Sequence, residues 1–344
     1  MKKRILVTGG TGYIGSHTVV ELQNNGYEVI IIDNLSNSRA DVVDSIEKIS
    51  GVRPVFEKVD CLDYAGVDAV FAKYPGIQGI IHFAASKAVG ESVEKPLLYY
   101  RNNLVSLINM LELMPKHGVK GIIFSSSCTV YGQPDILPVT EAAPIKKAES
   151  PYGNTKQINE EIIRDTVASG SPINAVMLRY FNPIGAHPSA LIGELPLGVP
   201  QNLIPYLTQT AMGIRECLSV FGDDYDTPDG SCIRDYIYVV DLAKAHVIAM
   251  DRILNDKQKE KVEVFNVGTG RGVSVLELIN AFEKSTGVKL NYKIAPRRQG
   301  DIVKVWANPA LANNELGWKA EGTLEETLRS AWDWQVHLRE KGIM

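Results

Sequence analysis

A chain of 344 residues with 45% hydrophobic content can bury a large core and exceeds the usual size of one domain, so one large and one smaller domain are expected. A net charge of −4 with no block of five or more basic residues argues against a nucleic-acid partner, and no apolar run approaches membrane-spanning length. Lys2-Lys3-Arg4 leads into glycines rather than a signal-peptide hydrophobic region, and Cys61, Cys128, Cys217 and Cys232 have neither metal-site nor disulfide spacing, which together describe a cytoplasmic enzyme without a metal.

A β-branched run at residues 5–8 enters a glycine cluster, and a helical apolar period follows over 13–22. This is the order strand, tight loop, helix. Gly9, Gly12 and Gly15 let the backbone turn, approach a pyrophosphate and pack helix on strand, while the helix N-terminus points free N–H groups at the anion. The spacing fits G-x-x-G-x-x-G from Gly9 and G-x-G-x-x-G from Gly10 equally. A second apolar run, 29–32, ends in Asp33, 18 residues past Gly15, where a carboxylate would accept the adenosine-ribose hydroxyls. Asp33 therefore favours NAD over NADP, and Arg39, separated from the strand end by Asn34, Leu35 and Ser36, is read as a surface residue rather than a 2′-phosphate ligand.

Strands are expected near 4–8, 28–33, 53–59, 78–84, 119–125 and 173–180, with helices between them. That alternation marks a parallel, doubly wound α/β sheet. Runs 79–85 and 121–127 are continuously apolar, as strands buried on both faces are. Ligands in such sheets lie beyond the carboxyl ends of the strands, which singles out Asp33, Asp60, Phe83 to Lys87, Ser125 to Ser127 and Tyr180 to Asn182. Tyr152 and Lys156 are four apart and share a helix face if a helix begins there. An ammonium beside a phenol favours the phenolate, making Tyr152 a general base, with Ser127 able to hold the substrate oxygen beside it.

Prolines and glycines over 181–205 break up regular structure and leave binding loops. Beyond them a strand is expected at 235–240, a helix at 241–253 capped by Asp241, a strand at 262–267, a helix at 273–285, a strand at 288–294, a basic loop at 296–301 and two helices near 308–316 and 322–340. The organisation expected is residues 1–180 plus about 234–266 for the dinucleotide, and about 181–233 plus 267–344 as a smaller, discontinuous α/β substrate domain.

T-G-G-T-G-Y-I-G at the start, S-S-S-C-T-V-Y-G and S-P-Y-G-N-T-K together resemble the extended short-chain dehydrogenase/reductase family and its Rossmann sheet. D-N-L-S-N-S (33–38), H-F-A-A-S-K-A-V-G-E-S (82–92), L-R-Y-F-N-P-I-G-A-H-P (178–188), N-L-I-P-Y (202–206), R-D-Y-I-Y-V (234–239), N-V-G-T-G (266–270) and P-R-R-Q-G-D (296–301) are similar to the UDP-glucose 4-epimerase family within it. The resemblance implies a retained NAD, proton removal by Tyr152 from the sugar 4-hydroxyl, a 4-keto sugar that turns over, and hydride return to its other face. Ser127 and Lys156 complete the catalytic set. Implied cofactor contacts are Gly9, Gly12, Tyr13, Ile14, Gly15, Asp33, Asn34, Ser36, Asn37, Ser38, Asp60, Cys61, Phe83, Ala84, Lys87, Asn102, Ser125, Tyr152, Lys156 and Tyr180. Implied UDP-sugar contacts are Lys87, Ser127, Asn182, Asn202, Leu203, Ser219, Phe221, Arg234, Tyr236, Arg298 and Asp301.

Arg234 and Arg298 suit diphosphate oxygens as bidentate donors, and Phe221 offers a wall for uracil. Arg234 could instead form a surface ion pair with Asp235 or another acid. Two departures carry consequences. Cys128 follows the serine triplet where many relatives have a small residue, placing an oxidisable thiol there. Val305 stands where some epimerases carry tyrosine, which would leave room for an N-acetyl group at sugar carbon 2. The related 4,6-dehydratases need an acid pair after the serine triplet, and Cys128-Thr129-Val130 supplies no carboxylate. A UDP-sugar reductase or decarboxylase, and a non-catalytic dinucleotide sensor, are the other readings. A homodimer through helices near 96–116 and 153–168 is expected by resemblance.

Overall fold

The computed structural model describes residues 2–298 and 302–344, and the basic loop's Asp301 lies outside them. The β-branched runs of the first half become β1 (Arg4–Thr8), β2 (Glu28–Asp33), β3 (Val55–Lys58), β4 (Ile77–His82), β5 (Gly121–Ser127) and β6 (Asn174–Tyr180). Between them run α1 (Tyr13–Asn24), α2 (Val42–Ser50), α3 (Tyr64–Lys73), α4 (Val89–Glu94), α5 (Pro96–Lys116) and α6 (Pro151–Ala168). The remainder forms β7 (Asn182–Ile184), α7 (Leu203–Ala211), β8 (Leu218–Phe221), β9 (Ile233–Arg234), β10 (Tyr236–Tyr238), α8 (Val239–Leu254), β11 (Val262–Val267), β12 (Val273–Ser274), α9 (Val275–Thr286), β13 (Tyr292–Ala295), β14 (Lys304–Val305) and α10 (Leu324–Glu340).

Seven strands pair in the order β11-β6-β5-β4-β1-β2-β3, every pair parallel. Period two divides each strand between two cores. Ile5, Val7, Val29, Ile31, Ile81 and Ile123 face one cluster with α1 and α8, while Leu6, Ile30, Ile32, Ile80 and Ile122 face the other with α3 and α5. Strand order reverses at β1, which pairs with both β2 and β4, so a crevice opens at the carboxyl ends between them. A separate cluster gathers Ile204, Leu207, Leu218, Val220, Leu278, Phe282 and Leu328 from α7, β8, α9 and α10.

The second half departs from expectation in three places. The strand expected at 235–240 is only β10, and α8 begins at Val239. Asp241 is not its cap but lies in its first turn, where its Oδ2 accepts from the Glu321 and Gly322 amides at 2.9 and 2.8 Å. The strand expected at 288–294 is displaced to Tyr292–Ala295, where β8 offers a parallel partner. The helix expected near 308–316 is present over 310–316, its part Ala312–Leu316 wound wider than an α-helix and ended by left-handed Gly317.

Candidate active site

Gly9 adopts φ +69°, and a Cβ there would meet the Ala84 amide nitrogen at 3.0 Å. A Cβ on Gly15 would fall 2.2 Å from the Gly9 carbonyl oxygen, so helix and loop touch through backbone alone. A Cβ on Gly10 would lie 2.8 Å from the Ile31 side chain, so this glycine is held by close packing against β2. Gly12 is the N-cap of α1 and supplies no side-chain cap, which leaves the first-turn amides to an anion. These are the features a dinucleotide pyrophosphate requires, and the cradle fits it.

Asp33, at the end of β2, is buried and accepts from Leu35 N at 2.9 Å and from Ser38 Oγ at 3.1 Å. Asn34 Nδ2 donates to Asp60 Oδ2 at 2.9 Å, joining the loops after β2 and β3. Ser36 and Asn37 are exposed, Ile14 packs on the sheet core, and Cys61 is buried next to Asp60. Arg39 pairs with Asp41 on the surface, at 2.6 Å.

The reactive set converges where β5 and β6 end. Ser150 caps α6 by accepting from Gly153 N at 3.1 Å, with Pro151 in the first turn, and this starts the helix that puts Tyr152 and Lys156 on one face. Lys156 is buried, and its Nζ donates to the Ser125 carbonyl at 2.6 Å. Tyr180 OH and Ser125 Oγ share a short hydrogen bond. Ser127 accepts from Thr129 N at 3.2 Å and is a hydrogen-bond partner of the Tyr152 phenol.

Burial works against the expected phenolate. Burial raises the Tyr152 phenol well above its ordinary range, Tyr180 and Cys128 add to this, and only the Ser127 hydrogen bond opposes it. Lys156 Nζ lies 5.8 Å from the Tyr152 ring centroid and is itself pulled down by burial to about 8. Desolvation is thus the largest influence on the phenol. Burial likewise pushes the Cys128 thiol up to about 12, which works against the thiolate that oxidation needs.

Behind this set lies a buried polar chain. Ser126 Oγ and Arg179 Nε both donate to Glu160 Oε1, at 2.6 and 2.8 Å, and Arg179 also reaches Tyr131 OH at 3.0 Å. Glu160 is one turn beyond Lys156, so the face carrying the reactive residues continues into a neutralised pair.

On the facing side, Arg234 ends β9 beside Val305 of β14, its NH1 donating to the Ile233 carbonyl at 2.9 Å. It does not pair with Asp235, which is fully buried and accepts from Thr269 N, Thr269 Oγ1, Gly270 N and Ala307 N at 2.6–3.1 Å. Asp235 thus draws N-V-G-T-G and β14 onto the R-D-Y segment. Asn182 pairs with Tyr236 between β7 and β10. Ser219 and Phe221 lie on β8, and the Arg298 guanidinium is 5.4 Å from the Phe221 ring centre. Asn202 and Leu203 open α7.

Two residues that sequence reasoning passed over hold this arrangement. Asn103, buried in α5, accepts from Ser86 N at 2.8 Å and donates to Thr155 Oγ1 at 3.1 Å, tying the loop bearing Phe83, Ala84 and Lys87 to α6. The motif-matched neighbour, Asn102, reaches only the Ser86 hydroxyl and Asn103 itself, each at 3.1 Å. Glu194 accepts from both Lys87 Nζ and Asn202 Nδ2, at 3.2 and 2.6 Å. Nothing local in the sequence marks either role.

Comparison with known proteins gives one picture. The family described as GDP-mannose 4,6 dehydratase matches residues 6–331. UDP-glucose 4-epimerase of Bacillus subtilis is 52% identical, with 96% of each chain covered. A crystal structure of UDP-glucose 4-epimerase from Bifidobacterium longum in complex with NAD+ and UDP is 49% identical at a TM-score of 0.93, covering 97% of this chain and 98% of that one. A UDP-glucose 4-epimerase structure from Stenotrophomonas maltophila with bound NAD and formylated UDP-arabinopyranose is 47% identical at a TM-score of 0.95, covering 98% and 99%.

Proposed function

The chain belongs to the UDP-glucose 4-epimerases of the extended short-chain dehydrogenase/reductase family, and from that membership we propose how its own residues perform NAD-dependent interconversion of UDP-glucose and UDP-galactose. The observation that carries the residue roles is the convergence of Ser127, Tyr152 and Lys156 at the end of β5. NAD, when bound, would supply the hydride acceptor and donor for sugar carbon 4. Gly9, Gly12 and the first turn of α1 hold its pyrophosphate, and Asp33 accepts the adenosine-ribose hydroxyls. Tyr152 takes the proton of the 4-hydroxyl and later returns it, Ser127 holds the same oxygen, and Lys156 supports the phenolate that burial alone opposes. Arg234, Arg298, Asn202 and Leu203 grip UDP while the hexose turns as a 4-keto sugar. The dinucleotide falls to residues 1–180 plus about 234–266 and the UDP-sugar to about 181–233 plus 267–344.

Dehydration finds no support, since the turn Cys128–Tyr131 after Ser127 contains no carboxylate. The test is UDP-galactose added to purified protein with no NAD supplied, the anomeric signals being followed by NMR. UDP-glucose is expected without net NADH. Silence that persists after NAD is added sinks the assignment.

Three finer features belong to the same reading. Val305 belongs to one cluster with Cys128 and Val130, and valine there takes up less room than the tyrosine some epimerases carry, which supports UDP-N-acetylglucosamine as a further substrate. No turnover of that sugar by enzyme active on UDP-galactose excludes this. A homodimer forms through α5 and α6, because Val93, Leu97, Leu98, Val105 and Ile108 are exposed apolar residues on α4 and α5. Light scattering that finds a monomer at micromolar concentration rejects it. Four unpaired cysteines suit the reducing cytoplasm, and a native protein containing disulfides would contradict that.

A further inference from the structure

Glu194 lies in the loop between β7 and α7, a segment without periodic structure. Its Oε1 accepts from Lys87 Nζ at 3.2 Å and from Asn202 Nδ2 at 2.6 Å. The acceptor is sheltered and the donors are not: the Glu194 side chain is 11% exposed against 47% for Lys87, and Asn202 is exposed. Its backbone is pinned as well. Trp334 Nε1 of α10 donates to the Glu194 carbonyl at 3.0 Å, and a Cβ on Gly193 would sit 2.5 Å from the same indole.

Asn202 occupies the N-cap of α7, where an asparagine side chain ordinarily accepts from first-turn amides. Here it makes no capping bond and is turned to Glu194 instead. Of the first-turn positions of α7 only Leu203 and Ile204 carry an amide unbonded among the described residues, since Pro205 has none and Tyr206 N donates to the Asn202 carbonyl, and neither of the two is capped by the Asn202 side chain. Lys87, on the other side of the same oxygen, comes from the loop after β4 and lies 6.0 Å from the Tyr13 ring centre, next to the dinucleotide cradle. One fixed carboxylate oxygen therefore orders two donors from opposite walls of the cleft.

We infer that Glu194 is a positioning residue for UDP-sugar binding, acting through Lys87 and Asn202; this rests on the assignment of those two residues to the substrate. Prior ordering of a lysine and a helix end lowers the entropy lost when the diphosphate arrives, and that gain exceeds the repulsion of a carboxylate already neutralised by Lys87.

The experiment uses the full-length holoenzyme as wild type, Glu194→Gln, Lys87→Met and the double variant, with kcat and KM for UDP-galactose, UDP affinity by calorimetry and a thermal melt of each. Glu194→Gln should raise KM and the UDP Kd about tenfold while kcat stays within about threefold. In the Lys87→Met background the same change should move KM by less than about threefold. Glu194→Asp, which keeps the charge but withdraws it by one methylene, should raise KM by an intermediate factor and serves if the glutamine variant does not fold. Tighter UDP binding by Glu194→Gln, an equal factor in both backgrounds, or wild-type KM in Glu194→Asp overturns the inference. Wild-type protein that neither binds UDP nor converts UDP-galactose overturns the functional reading as well, whereas an active wild type with an unaffected Glu194→Gln overturns this role alone.

Discussion

Replacing Lys156 by methionine should stabilise the protein near neutral pH while removing its activity. Burial pulls the ammonium down from 10.5 to about 8, against a smaller upward pull from Glu160. A gap of about 2.5 pH units corresponds to roughly 3 kcal/mol by which the folded state disfavours the charged lysine. That cost is complete below about pH 8, shrinks as pH rises toward 10.5, and vanishes beyond it, where the amine is neutral in both states. Methionine keeps the stem but leaves the Ser125 carbonyl without its donor, which costs about 1 kcal/mol at any pH. The net expectation is a gain of roughly 2 kcal/mol near pH 7 that turns into a loss of about 1 kcal/mol above pH 10.5. Urea unfolding of dinucleotide-free wild type and Lys156→Met, followed by tryptophan fluorescence across this range, measures the difference directly. A difference that does not change with pH would refute the argument, because it would mean that the lysine carries no charge penalty in the fold.

Asp235→Asn turns one acceptor oxygen into a donor facing backbone N–H groups. A loss of roughly 3–5 kcal/mol is expected in urea unfolding, together with a raised KM for UDP-galactose through the neighbouring Arg234. Gly15→Ala drives a Cβ to 2.2 Å from the Gly9 carbonyl oxygen, so the variant should be purified with much less NAD, read from the absorbance of dinucleotide released on denaturation. Val305→Tyr overfills the cluster around Val130 and Cys128. Turnover of UDP-N-acetylglucosamine should fall at least about tenfold more than that of UDP-galactose, at a stability cost of about 1–3 kcal/mol measured by urea.

Strands β1, β2, β4, β5 and β6 were legible because a strand covered on both faces needs an unbroken apolar run, and these residues have little else to do. Residues 234–240 misled for the converse reason. A β-branched, aromatic run there is cut by extended Tyr238, and Asp241 answers to amides at 321 and 322 rather than to its own helix. In the site, the glycine loop and the four-residue step from Tyr152 to Lys156 were readable because each is a local geometric demand. Glu194 and Asn103 were not, since their partners Lys87, Asn202, Ser86 and Thr155 are brought near only by the finished fold. The protonation of Tyr152 was beyond sequence for another reason: it turns on burial against a 5.8 Å separation from an ammonium, and neither quantity is local.

The outer edge of β6 is closed by β11 alone, and residues 181–261 intervene between these strands in the chain. A nascent chain therefore emerges with six strands made and one row of backbone N–H and C=O groups on β6 still open. Closing that edge waits for the segment that also carries α7, β8 and the R-D-Y turn, so completion of the dinucleotide half is coupled in time to synthesis of much of the sugar half. An unpaired edge is a template for another copy of itself. A lesion among residues 181–261, far from the glycine loop, can thus be expressed as aggregation of newly made chains rather than as a weakened enzyme.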